Sequence, residues 1–169
     1  MKSTTRTRND AHTSTTVTSS AFSVELEVAT DIDAPAGAVW RVLRATQEYG
    51  SWNPFIVSLD GVLAVGGNIT VSLALADRKR QTLRPRIIRL DEGRALAWRG
   101  RLGVPGVLDA EHRLEVEEVD SEHCRFVQHE RFTGVVVPAV RSVLTVKTPA
   151  AFLAMNTALA QQARADTAA

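Results

Sequence analysis

His112, Gln128 and Glu130 are the residues whose types and spacing point to chemistry. Each sits in a stretch that alternates polar and apolar side chains, and each falls on the apolar side. In Glu111–Val119, His112 shares a strand face with Leu114 and Val116, while Glu111, Arg113, Glu115 and Glu117 share the other. In His123–Phe132, the face of Gln128 and Glu130 also holds Cys124, Phe126 and Phe132, with His123, Arg125, His129 and Arg131 opposite. A turn at Asp120-Ser121 makes the two strands a hairpin and sets His112 almost opposite Glu130, at a Cβ separation of about 4.5–5.5 Å. A carboxylate among apolar side chains needs a partner, and His112 supplies one. Three roles are open: a pair that orders the sheet interior, a pair that with Gln128 orients a ligand's polar end, or a general acid/base pair.

Other candidates join these by face. Trp98 shares its strand face with Leu96 and Gly100, and the glycine leaves room beside the ring. Met155 and Asn156 fall on the apolar stripe of a final helix, where an amide requires a partner. Trp40 reads as core, and Asn53 as a bridge to backbone groups ahead of Pro54. Metal and cofactor sites are not expected: His123 and His129 face away from His112, Cys124 stands alone, and no G-x-S-x-G, P-loop or G-x-G-x-x-G pattern follows a strand.

The elements that position these residues follow from periodicity. Residues 22–32 alternate as a half-buried strand; Asp33, Ala34 and Pro35 then open a helix with Val39, Trp40 and Leu43 on its apolar side. Six strands are expected over Phe55–Gly61, Asn68–Ala76, Thr82–Leu90, Arg94–Arg101, Glu111–Val119 and His123–Phe132, with a turn at Asp77-Arg78 among the breaks. Phe152, Met155, Asn156, Leu159 and Ala163 then mark an amphipathic helix from about Pro149 to Arg164, whose relation to the Val-rich 135–146 segment is open: one kinked helix or two pieces. The order fits an α+β fold, a curved antiparallel sheet of about seven strands around a long C-terminal helix, with one or two short helices after the first strand. A cavity between sheet and helix is the natural consequence.

With Ile32-Asp33-Ala34-Pro35, Val39-Trp40, Trp52-Asn53-Pro54-Phe55, Leu96-Ala97-Trp98-Arg99-Gly100, His112-Arg113-Leu114, the run from Arg125 to Phe132, and Phe152-Leu153-Ala154-Met155-Asn156, the chain resembles the START-like helix-grip superfamily (SRPBCC). Within it the likeness is to polyketide cyclase/dehydrase-like proteins, over residues 22–164. The resemblance implies a helix-grip fold that binds a small hydrophobic or amphipathic molecule, and in some members cyclises polyketides. The cavity is then lined by Trp98, His112, Phe126, Gln128, Glu130, Phe132, Met155 and Asn156. Non-enzymatic binding is the favoured reading, ahead of a cyclase/aromatase-like enzyme using Glu130 and His112, and of a protein-interaction module.

Composition bounds the rest. The chain has 169 residues and a formal charge of +1, and lacks the basic excess of a nucleic-acid binder. Residues 1–21, rich in Ser and Thr, read as a disordered tail, and 165–169 as a disordered end. One cysteine and the absence of an apolar leader suit a reducing, cytoplasmic setting, and no uninterrupted apolar run is long enough to span a membrane. A basic block from Arg78 to Arg101 and an acidic one from Leu102 to Glu122 are expected to face each other across neighbouring strands. Ligand identity and oligomeric state are not legible.

Overall fold

A computed structural model of the chain describes residues 2–8, 12–74 and 80–168. The alternating segment after residue 22 forms a strand, Ser23–Ile32, that buries Val24, Leu26 and Val28. Two further strands precede it, so this is β3, after β1 (Ser3–Arg8) and β2 (Thr13–Ser19). Helix α1 (Ala36–Arg44) starts behind Pro35 and buries Val39, Trp40 and Leu43; a 3-10 turn (Thr46–Glu48) leads into the short α2 (Tyr49–Trp52). Then come β4 (Ile56–Gly61), β5 (Ile69–Ala74), β6 (Arg80–Leu83), β7 (Arg86–Asp91), β8 (Ala95–Leu102), β9 (Leu108–Glu118) and β10 (Cys124–Thr133). Helix α3 (Val137–Ser142), a π-helical turn (Val143–Lys147) and α4 (Thr148–Ala168) complete the chain.

The main sheet has seven antiparallel strands in the order β1-β2-β3-β10-β9-β8-β7, and β4-β5-β6 form a second sheet. This is the expected α+β helix grip: α4 lies on the sheet and buries Phe152, Met155, Asn156, Leu159 and Ala163. The expected hairpin register also holds, with Glu130 opposite His112 and His112 opposite Trp98. On the outward face the two charge blocks meet as anticipated: Arg99 pairs with Glu111 at 2.7 Å and Arg89 with Glu115 at 2.9 Å. Both pairs are solvated and each contributes at most about 1 kcal/mol.

Several expectations require correction. Within the tail read as disordered, residues 3–8 and 13–19 form strands; β2 pairs along the free edge of β3, and Thr13 Oγ1 lies 3.3 Å from Thr30 Oγ1. A threonine-rich segment needs little to bury when a neighbouring strand satisfies its backbone and β-branched side chains suit the pleat. At the other end, the segment 165–168 continues α4 rather than fraying. The expected strand Thr82–Leu90 is split between two sheets, because Pro85 has no N–H to give a ladder. Strand Asn68–Ala76 is described as far as Ala74, and the turn at Asp77-Arg78 lies outside the described residues.

The helical end is one path with a wide turn, not two separate helices. Pro149 lacks the N–H that would continue the ladder, and the π-helical turn ends just ahead of it. By length and composition alone, 137–167 is apolar enough to cross a membrane. Its inward stripe is packed against the sheet, as in the core helix of a folded domain. Gly134, at φ 140°, joins β10 to this helix; a Cβ there would lie 2.3 Å from the Val107 carbonyl oxygen, so only glycine allows the two segments to meet.

Candidate functional site

Three neighbouring strands bring the site together. Trp98 on β8, His112 on β9 and Glu130 on β10 stand side by side on the concave face. The imidazole stacks flat on the indole, ring centres 4.7 Å apart and planes 2° from parallel. Phe152 of α4 meets the same imidazole edge-on at 5.0 Å, and Phe55 packs on Phe152 at 5.5 Å. His112 and Glu130 are 4% and 7% exposed, and Nδ1 of His112 is hydrogen-bonded to the Glu130 carboxylate.

In the neutral ring such a bond to a carboxylate places the proton on Nδ1 and leaves Nε2 as an acceptor. His112 Nε2 is buried and has no hydrogen-bond partner. A buried polar atom left unmatched costs about 1–3 kcal/mol, so the position is favourable for a ligand donor or a water.

His112, Glu130, Trp98 and Phe132 line a cavity of about 230 Å³ between the sheet and the helical segment. Ile56, Val71 and Leu73 of the second sheet form another wall, with Pro85 and Gly100 closing the space beside Trp98. Leu102 and Leu108, at the ends of β8 and β9, and Val143, Leu144 and Thr148 of the helical segment complete its lining. Thus four of the eight expected lining residues reach the cavity.

Phe126, Gln128, Met155 and Asn156 do not line it. All four are fully buried where α4 is clamped to the sheet. Gln128 Nε2 donates to Asn156 Oδ1 at 2.6 Å and to the Phe152 carbonyl at 3.2 Å; Asn156 Nδ2 donates to Thr30 Oγ1 at 2.9 Å. Asn156 thus has partners on both sides of its amide, Gln128 and Thr30, which are strand residues and not a ligand, whereas Gln128 Oε1 is buried without a partner. Phe55, Phe152 and Pro85 were missed as site residues. Phe152 precedes Asn156 by one helical turn on the same stripe, which is the signal that could have found it. Asn53 does bridge the backbone: its Oδ1 accepts from the N–H groups of Phe55 and Ile56 at 3.0 and 2.9 Å, and so places Phe55.

Other reactive groups are disarmed. Burial pushes the Cys124 thiol up to about 11, so it stays protonated at neutral pH. Among the described residues no three His, Cys, Asp or Glu side chains converge as a metal site would require.

Comparison with known proteins agrees with this architecture. Residues 23–164 match the family described as polyketide cyclase / dehydrase and lipid transport. None of the curated proteins matches the sequence significantly. Among solved structures, the Zhui aromatase/cyclase of a Streptomyces species superposes with a TM-score of 0.69 at 20% identity, over 84% of this chain and 94% of that one. A norcoclaurine synthase point mutant from Thalictrum flavum, in complex with a transition-state analogue, gives 0.67 at 12% identity over 88% and 99%. A Thermobifida fusca protein solved by NMR gives 0.64 at 19% identity over 82% and 92%. At such identities the likeness is one of fold.

Proposed function

The chain belongs to the polyketide cyclase/dehydrase and lipid transport family, and from that premise we propose that it binds a compact, flat, amphipathic molecule in the cavity beside Trp98. The observation that carries this reading is His112, which lines a mainly apolar space and whose Nε2, buried just behind that wall, has no partner. A ligand hydroxyl donates to Nε2, and its carbon skeleton lies against Phe132, Val71 and Leu73. The size of the cavity favours a small ring compound over a long acyl chain, because about 230 Å³ lies just under the roughly 300–1,000 Å³ usual for ligand pockets. Titration of the protein with 2-naphthol, naphthalene and 2-naphthoate tests it: the phenol binds about tenfold more tightly than the hydrocarbon, one hydrogen bond's worth. Equal binding of the first two contradicts the assignment.

A second reading rests on the same pair. His112 Nε2 takes a proton from carbon next to a ligand carbonyl, Glu130 steadies the imidazolium, and the proton returns to a departing hydroxyl, which leaves as water. The family description, which includes cyclases and dehydrases, favours this chemistry. E130Q keeps the shape and removes the carboxylate; under this reading it binds ligand but loses turnover.

A further inference from the structure

Five of the nine large apolar side chains exposed among the described residues lie at the rim of the cavity. Three segments border it, 80–86, 101–108 and 134–148, the last held to the loop at 106–107 by hydrogen bonds from Val135 N–H and Val136 N–H to the Gly106 and Val107 carbonyls. On these segments large aliphatic side chains face solvent: Val104 is 66%, Val135 68% and Val146 67% exposed, with Leu102 and Val143 beside them. Such side chains gathered at one opening are unlike the singly scattered apolar residues of an ordinary surface.

The charges there are also one-sided. Arg80, Arg84, Arg86, Arg101, Arg141 and Lys147 lie on the three segments, which contain no Asp or Glu. Arg101 reaches Asp109 at 3.7 Å, and the guanidinium groups of Arg86 and Arg141 donate to backbone carbonyls. Apart from Arg101, none of the six has an acidic partner among the described residues, whereas the outward sheet face pairs its arginines with carboxylates. Exposed aliphatic side chains among largely uncompensated cations are what an anionic bilayer surface selects: the apolar groups enter the headgroup boundary and the cations meet lipid phosphates.

We propose that this rim docks on an anionic lipid surface, with Val104 and Val146 as the inserting side chains. The cavity then opens toward the bilayer, and an apolar ligand enters without crossing water. The docking is peripheral and depends on no particular cavity ligand.

Sedimentation of the full chain with vesicles of phosphatidylcholine, alone or mixed with phosphatidylglycerol, tests it. The chain sediments with the anionic vesicles, less so as salt rises. V104D/V146D loses at least about tenfold in affinity, given the area of two valines, and R84E/K147E loses at least about fivefold per cation. None of the four residues lines the cavity, so 2-naphthol binding by both variants is unchanged and separates failure of this proposal from failure of the cavity assignment. Equal sedimentation with neutral vesicles, wild-type sedimentation of V104D/V146D, or no sedimentation at all overturns it; the last result makes an acidic protein the better occupant.

Discussion

Glu130 and His112 face each other across β9 and β10, and the carboxylate engages one ring nitrogen while the other has no partner. The pair is therefore satisfied on one side only, and both residues stand on the wall of a cavity. Removing Glu130 leaves a buried imidazole with two unmatched nitrogens. E130A is expected to cost about 2 kcal/mol, the scale for leaving a buried polar group without its partner. H112F/E130L, which replaces both partners by apolar groups, costs much less. Chemical denaturation of the two variants checks the contrast.

Asn156 is structural. N156A breaks its bonds to Gln128 and Thr30 and is expected to destabilise the fold by about 2 kcal/mol. Because Asn156 does not line the cavity, affinity for 2-naphthol measured under folding conditions stays at the wild-type level.

How far the sequence revealed these roles depends on what period 2 and a single turn can specify. Strand parity and the Asp120-Ser121 hairpin placed His112 opposite Glu130, because an antiparallel register is fixed once its turn is known. The same parity put Phe126 and Gln128 on the concave face but not their depth under α4, which is set by how the helix rotates onto the sheet. The stripe likewise identified Asn156 as inward without distinguishing a strand amide from a ligand. The β1–β2 hairpin was hidden by composition, since its order comes from backbone pairing to β3 and not from apolar content.

Gly100 controls the volume beside Trp98. A Cβ there meets only Pro85, at 3.4 Å, an ordinary contact, so larger side chains fit by extending into the cavity. G100L is expected to weaken 2-naphthol binding at least about tenfold, the scale of one lost ring contact area. Its melting temperature moves by no more than a few degrees. Calorimetric titration and a thermal melt together test the point.

The hairpin turn carries a titrating pair. The backbone N–H of Glu122, then the His123 ring and after it the His123 backbone N–H, hold the Asp120 carboxyl below its ordinary value; the Asp120 bond raises His123. The Asp120 contribution is present above its ordinary pKa and is lost as pH falls through the lowered one. That of His123 is complete below its ordinary pKa of about 6.5 and is lost as pH rises through the raised one. The turn is thus firmest in mildly acidic solution. NMR titration of D120N is expected to return His123 toward its ordinary value.

The central claim is that His112 Nε2 accepts a hydrogen bond from a ligand in the cavity. Nitrogen-15 NMR of the imidazole during titration with 2-naphthol tests it most directly. The account predicts that the Nε2 resonance of His112 shifts as an acceptor's does on hydrogen bonding, with Nδ1 still protonated toward Glu130, and that naphthalene produces no such shift. An unchanged Nε2 resonance with 2-naphthol bound would contradict it.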